Sequence, residues 1–405
     1  MKSLLHVFAA AASLLTIGAG SVHAQTLMRT ASGVSAGGLQ WQAQSMLTGV
    51  TNTQSGGPIV NGGDPIYWPS YPRDSGIVHL LMDYGPGVGA FICSGTLLPD
   101  RQSILTAAHC VSNGFGTANP LTTTVFFQPP GGLDAGTRIQ TNSVPNGGAV
   151  TRNTSQYFVN PGYTGDVIDQ NDIAVLRMDQ AAPDWAASYG LYTTNNLEGS
   201  SFTMHGYGAL GDGATGRNNF TARLRNGDNR YDFTLGNAVF GENWASVLSE
   251  PFSQIQYSLI SDFDNGLAAN DASCLVAQAD GVGGAGGSVF CDLGLGAREA
   301  GVAGGDSGGP SFVNGLIASV NSYGLTFGPS FGDFGPTPCD GDPATATPSC
   351  LNSSFGEFSG HVPVWLHADF ISASLVPEPE TYLLMMIGVL GLTVAVRRQN
   401  RFCPH

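Results

Sequence analysis

The sequence predicts an all-β domain, and two observations carry that class. From Ile59 onward, short runs rich in Val, Ile, Phe and Thr alternate with Gly, Pro, Asn and Asp, the pattern of strands in a sandwich or barrel. One segment alone, residues 362–373, has helical spacing, with Val364, Leu366, Phe370 and Ile371 apolar. A helix at the end of a β domain is expected to pack across its surface. Strands are predicted at 76–81, 90–98, 103–107, 123–127, 172–178, 201–205, 256–260 and 315–320. Residues 208–250 and 325–355, rich in Gly, Asn, Asp and Pro, are long for loops and read as insertions. The segment Asp262-Phe263-Asp264-Asn265-Gly266 hints at a calcium loop. It lacks the alternating ligand spacing and the closing Glu, and so reads as a turn.

Both ends look like targeting segments. Met1-Lys2 precedes an apolar, alanine-rich stretch and then Val22-His23-Ala24, a basic start, an apolar middle and small residues before a cut. Residues 1–24 are therefore expected to be a secretory signal peptide, the competing reading being a membrane anchor of about 20 apolar residues. Residues 25–58 are polar, rich in Ser, Gly, Thr and Gln and without sustained periodicity, as a propeptide or flexible leader would be. At the other end Val376-Pro377-Glu378-Pro379 precedes an apolar run at 382–396 and then Arg397, Arg398 and Arg401. The arginines would hold the last residues on the cytoplasmic side of a membrane. The combination resembles the PEP-CTERM sorting tail of Gram-negative bacteria. That resemblance implies cleavage by an exosortase-type enzyme, a short transmembrane segment at 382–396 serving as a transient anchor, and delivery to the cell envelope or the outside. An ordinary single-span tail anchor is the alternative.

The whole chain has a formal net charge of −15. Such acidity argues against nucleic acid or an anionic membrane face as partner and says little about fold. Of 7 cysteines, six precede the tail and Cys403 lies beyond the arginines. In an exported chain they are expected to form disulfides, and six cysteines leave 15 connectivities. No Cys-x-x-Cys or His-x-x-x-His spacing favours metal binding, so no metal and no cofactor is expected.

Three segments carry chemistry: Leu105-Thr106-Ala107-Ala108-His109-Cys110, Asn171-Asp172-Ile173-Ala174-Val175-Leu176 and Gly304-Gly305-Asp306-Ser307-Gly308-Gly309-Pro310. A serine hydroxyl is a weak nucleophile at neutral pH, so an imidazole must take its proton and later return it to the leaving group. A buried carboxylate must fix that imidazole's tautomer. Alone, each segment reads equally as a core histidine, a strand-end acid or a flexible turn. In this order, with Cys93-Ser94-Gly95, Gly206-Tyr207-Gly208 and Ser322-Tyr323-Gly324 as satellites, the chain resembles the chymotrypsin/trypsin family over roughly residues 59–371.

The resemblance implies a fold of two six-stranded antiparallel barrels, about 59–187 and 188–371, with the active site between them and a C-terminal helix crossing back. It implies His109, Asp172 and Ser307 as catalytic residues and an oxyanion hole from the backbone N–H groups of Gly305 and Ser307. It places Gly301, Ser322, Tyr323 and Gly324 at the substrate, with no acid at the pocket base to attract Lys or Arg. The implied disulfides are Cys93 to Cys110 and Cys274 to Cys291, which leaves Cys339 to Cys350. Ile59-Val60-Asn61-Gly62-Gly63 matches the family's mature start, whose α-ammonium pairs with the Asp before the catalytic Ser, here Asp306. Pro58 stands where the family has Arg or Lys, which argues against self-activation. The expected function is a secreted serine endopeptidase acting on protein or peptide substrates, with signal peptidase and the sorting enzyme as processing partners. The rivals are a binding protein on an inactive peptidase fold and an esterase using the same triad.

Overall fold

The computed structural model describes residues 25–26, 30–34, 40–44, 48–49, 64–129, 149–220, 224–280, 290–334 and 351–375. The signal peptide, the start at Ile59, the pair Cys339 and Cys350 and the sorting tail lie outside these residues. Among the described residues no helix is long and apolar enough to cross a membrane.

The leader contributes four short strands: β1 (Gln25–Thr26), β2 (Thr30–Val34), β3 (Gln40–Gln44) and β4 (Thr48–Gly49). The first barrel follows, made of β5 (Ile77–Asp83), β6 (Ala90–Leu97), β7 (Ser103–Thr106), β8 (Thr122–Phe127), β9 (Val150–Val159) and β10 (Ala174–Met178). Its order is β6-β5-β8-β9-β10-β7, and β7 pairs back onto β6, so the ladder closes and leaves no free edge. Leu80, Cys93, Leu105, Val125 and Val175 fill its interior. The predicted runs match these strands closely except β9, whose polar sequence alternates exposed and partly buried residues and carries no apolar run.

The second half holds β11 (Ser201–Gly206), β12 (Ala209–Asp212), β13 (Gly216–Phe220), β14 (Arg225–Arg230), β15 (Phe233–Thr234), β16 (Leu259–Asp262), β17 (Ala300–Gly301), β18 (Pro310–Val313), β19 (Leu316–Thr326) and β20 (Phe358–Pro363). The main sheet runs β14-β11-β18-β19-β20-β16-β15. It curls round on itself as the second half-barrel: β14 and β15 are consecutive pieces of one stretch, 225–234, which pairs with β11 at its start and with β16 at its end. A smaller sheet, β13-β12-β4-β17, lies beside it, so residues 208–250 are partly strands and not one long loop. They also hold α1 (Asn243–Leu248), and α2 (Phe252–Ile255) and α3 (Ala272–Ala279) follow. Phe233, Phe240, Trp244, Tyr323, Leu325 and Phe358 form the second core, and Trp41 of the leader joins it.

The C-terminal helix is shorter than predicted. Val362 belongs to β20, and α4 (Ala368–Ser374) begins only after a 3-10 turn. Ile371 is buried in the first barrel's core, and the Arg177 guanidinium of β10 donates to the Ser374 carbonyl at 2.8 Å. The helix therefore crosses back over the first barrel. The family-implied disulfides Cys93–Cys110 and Cys274–Cys291 are both formed.

Candidate active site

His109 sits on the 3-10 turn Ala108–Cys110 that follows β7. The turn is fixed from two sides: the adjacent Cys110 is bonded to Cys93 of β6, and the Thr106 hydroxyl donates to the Ser94 carbonyl at 2.8 Å. Asp172 sits just before β10, on a turn organised by Asp169, whose carboxylate accepts from the backbone N–H of Asn171 at 2.7 Å and of Thr164 at 2.9 Å. These two turns bring the histidine and the aspartate together. Asp172 Oδ1 accepts from the His109 backbone N–H at 2.7 Å, and its Oδ2 lies 2.7 Å from His109 Nδ1. The Ser322 hydroxyl donates to the same Oδ2 at 2.5 Å.

Burial alone would push the Asp172 carboxyl up, but the His109 ring and the Ser322 hydroxyl hold it below its ordinary value. An ionised Asp172 keeps the proton of His109 on Nδ1, which leaves Nε2 as the basic nitrogen. That Nε2 is buried and makes no hydrogen bond among the described residues.

Ser307 lies on the glycine-rich turn between β17 and β18 and is 3% exposed. Gly305 has φ +102°, and a Cβ there would stand 2.9 Å from the Cα of Gly208 and 3.1 Å from Ile92. Gly308 has φ +80°, and a Cβ there would lie 2.0 Å from the Thr106 hydroxyl. Both positions therefore need glycine, and the second lets the serine turn lie against the segment that leads into His109. Ser94 clips the turn to the first barrel: its N–H donates to the Ser307 carbonyl at 2.7 Å and its hydroxyl to the Gly305 carbonyl at 3.0 Å. Ser94 also accepts from the Tyr207 N–H at 2.9 Å, so one side chain joins both halves of the molecule at the site. The sequence showed Ser94 only as part of a satellite motif. Its place beside a disulfide cysteine was the available signal.

Asp306 lines a small cleft together with Gly49, Tyr67, Gly208, Ala209 and Arg225. Its carboxylate accepts from the Gly208 N–H at 2.8 Å and the Ala303 N–H at 3.2 Å. Burial pushes the carboxyl well up, opposed by the Gly208 bond and by the charge of the buried Arg225. The sequence reading gave Arg225 no role.

The remaining expected residues divide. Gly301 lies in β17 and pairs with Thr48 of the leader. The Ser322 hydroxyl turns to Asp172 and so belongs to the aspartate's shell. Tyr323 is buried in the second core, and Gly324 pairs with Gln44 of β3.

Residues 74–231 match the family model described as Trypsin, and residues 375–399 match that of the PEP-CTERM protein-sorting motif. The first match spans the His109 and Asp172 segments and ends before Ser307. The second indicates export and sorting in a Gram-negative bacterium, to the cell envelope or the extracellular space. A search of curated proteins found no match to the chain.

Proposed function

We propose that the chain is an exported serine endopeptidase in which Ser307 is the nucleophile, His109 the general base and acid, and Asp172 the residue that orients the imidazole. The observation that carries this reading is the Asp172–His109 couple, with the Ser307 turn clipped beside it by Ser94. In the reaction the Ser307 oxygen bonds to the scissile carbonyl carbon while its proton passes to His109 Nε2. The oxyanion that forms would be met by the N–H groups of Gly305 and Ser307, and losing one such donor typically costs about 3 to 4 kcal/mol. The C–N bond then breaks, His109 returns the proton to the leaving amine, and water releases the acyl group by the same steps in reverse.

The pairing of β3 with β19 at Gly324, Leu325 and Thr326 favours peptides over small esters. An edge that accepts a strand recognises peptide main chain through ladder hydrogen bonds. Because the leader takes that edge, the pairing also supports reading the described chain as a precursor. In this reading cleavage before Ile59 frees the edge, and the new α-ammonium joins Asp306 in the Arg225 cleft. Since Gly301 brings no carboxylate, primary specificity is proposed to be for apolar residues and not for Lys or Arg.

A fluorophosphonate probe followed by peptide mapping tests the mechanism. Label on Ser307, lost in Ser307→Ala with the fold retained, is the expected result. A protein that hydrolyses casein unchanged as Ser307→Ala would overturn the reading, and turnover of short-chain esters without casein would favour an esterase. N-terminal sequencing of active enzyme tests the activation step. Full activity with Gln25 still at the amino terminus would remove it.

A further inference from the structure

A group of carboxylates in the second half plays no part in the chemistry above. Asp262 ends β16, Asp264 follows it, and Asp271 caps α3. One carboxylate oxygen of each lies within 4.8 Å of the others, and the residues are 4%, 3% and 2% exposed. Asp262 accepts from the Ser273 N–H at 2.8 Å, and Asp271 accepts from the Cys274 N–H at 2.8 Å. Asp264 differs from both: its Oδ1 is buried and accepts no hydrogen bond among the described residues. Glu299 adds a further carboxylate alongside and accepts from the Asp264 backbone N–H at 2.6 Å. The guanidinium of Arg230 is engaged by Asp292 at 2.9 Å.

Converging buried carboxylates without a cation among them repel one another in a medium that screens poorly. A cation between the carboxylates would reverse that repulsion and give the Asp264 oxygen a partner.

We propose that Asp262, Asp264 and Asp271 bind a divalent cation, and that the cation is calcium. The donors are all hard oxygens, and the nearby Cys274 offers no thiolate because it is bonded to Cys291. Calcium accepts irregular sets of carboxylate, carbonyl and water oxygens, whereas magnesium demands near-ideal octahedral geometry and keeps most of its water. The sequence reading took 262–266 as a turn because no ligand spacing follows within it. The third carboxylate instead comes from the cap of α3, and only the fold brings it in. Phe263, between two of the ligands, packs on Gly301, where an added Cβ would stand 3.3 Å from the Phe263 side chain. The cation would therefore also fix the strand that leads to the Ser307 turn.

Calorimetric titration of the full-length protein, freed of metal by chelator, tests the site, with thermal unfolding alongside. Calcium is expected to bind saturably with Kd of about 1 mM or tighter and to raise Tm progressively once its concentration exceeds that Kd. Asp264→Asn should weaken binding by roughly tenfold or more and abolish the Tm rise. Without calcium it should melt no lower than the parent, since it removes repulsion. Asp271→Asn should behave alike, because Asn still caps α3. Absence of saturable binding, or a calcium response in both variants equal to the parent's, overturns the site. A magnesium response equal to that of calcium overturns the choice of ion.

Discussion

In the first barrel the ladder returns from β7 to β6, and the buried carboxylate of Asp172 is met by the His109 N–H, the His109 ring and the Ser322 hydroxyl. In the second half the sheet curls back through the stretch 225–234, leader strands lie against it, and the buried carboxyls of Asp306 and Glu357 are pushed up by burial. In the first the carboxylate is met by donors, Ser322 of β19 among them. In the second the carboxyls stay raised, beside leader strands and, as proposed, a cation. The first suits a fixed frame for His109 and Asp172, and the second suits parts that must be assembled before the serine turn can work.

The largest test of that contrast is Asp172→Asn. It should lower kcat by roughly 10⁴-fold with little change in fold, because the amide cannot hold the right imidazole tautomer. The Asp172 carboxyl lies below its unfolded value, so its stabilising contribution is present above that unfolded value and lost as pH falls through the folded one. Acid unfolding of Asp172→Asn should accordingly show a flatter limb in circular dichroism. A variant with near-normal kcat would mean that the aspartate does not act through His109.

A smaller effect separates the two disulfides. Both close a sequence separation of 17, so chain entropy alone predicts equal stabilisation of about 3 kcal/mol each, in a model that is disputed. Cys93 and Cys110 are fully buried, whereas Cys274 and Cys291 are half-buried. Replacing the first pair by alanine should cost more than the second, since it also removes core packing. Mild reductant should open Cys274–Cys291 first. Equal losses in urea unfolding would show that the closed barrel does not depend on packing at its disulfide.

The smallest effect concerns Glu357, which is buried, faces Asp333 and accepts from the N–H groups of Asn352 and Ser353. Its raised carboxyl means that the folded chain keeps a proton that the unfolded chain has lost. Stability should therefore fall as pH rises from the unfolded Glu value of about 4.3 toward the folded value, by at most about 1.4 kcal/mol per pH unit. Glu357→Gln should flatten that slope in pH-dependent urea titrations, whatever its absolute stability. An unchanged slope would show that Glu357 does not stand apart from the ordinary carboxylates.

Strands whose side chains are buried were legible because their apolar β-branched runs report burial directly, as in β5, β6 and β10. β9 was not, because most of its side chains are polar and its pairing comes from backbone groups that no residue type advertises. The end of the chain misled for a related reason: Val362 and Val364 suit a helix face and a strand equally, and pairing with Val320 puts the first into β20. Leader strands were hidden in the same way, since their register is set by an edge offered in another part of the chain. Among site residues, His109, Asp172 and Ser307 were readable as motifs, and the disulfide pairing came only through resemblance. Ser94 and Arg225 gave little sign of what they would touch.

What the sequence determined by itself is local: which runs prefer to be strands, which residue types can exchange a proton, and which glycines permit the serine turn. These depend on the chemistry and backbone freedom of neighbouring residues, and neighbours are what a sequence states. The tertiary structure alone decided how each sheet turns back on itself, which residue of the first barrel holds the Ser307 turn, what covers the β19 edge, and that Asp271 meets Asp262 and Asp264. Those outcomes depend on distances between groups far apart along the chain, and electrostatic and hydrogen-bond energies are set by such distances and by burial.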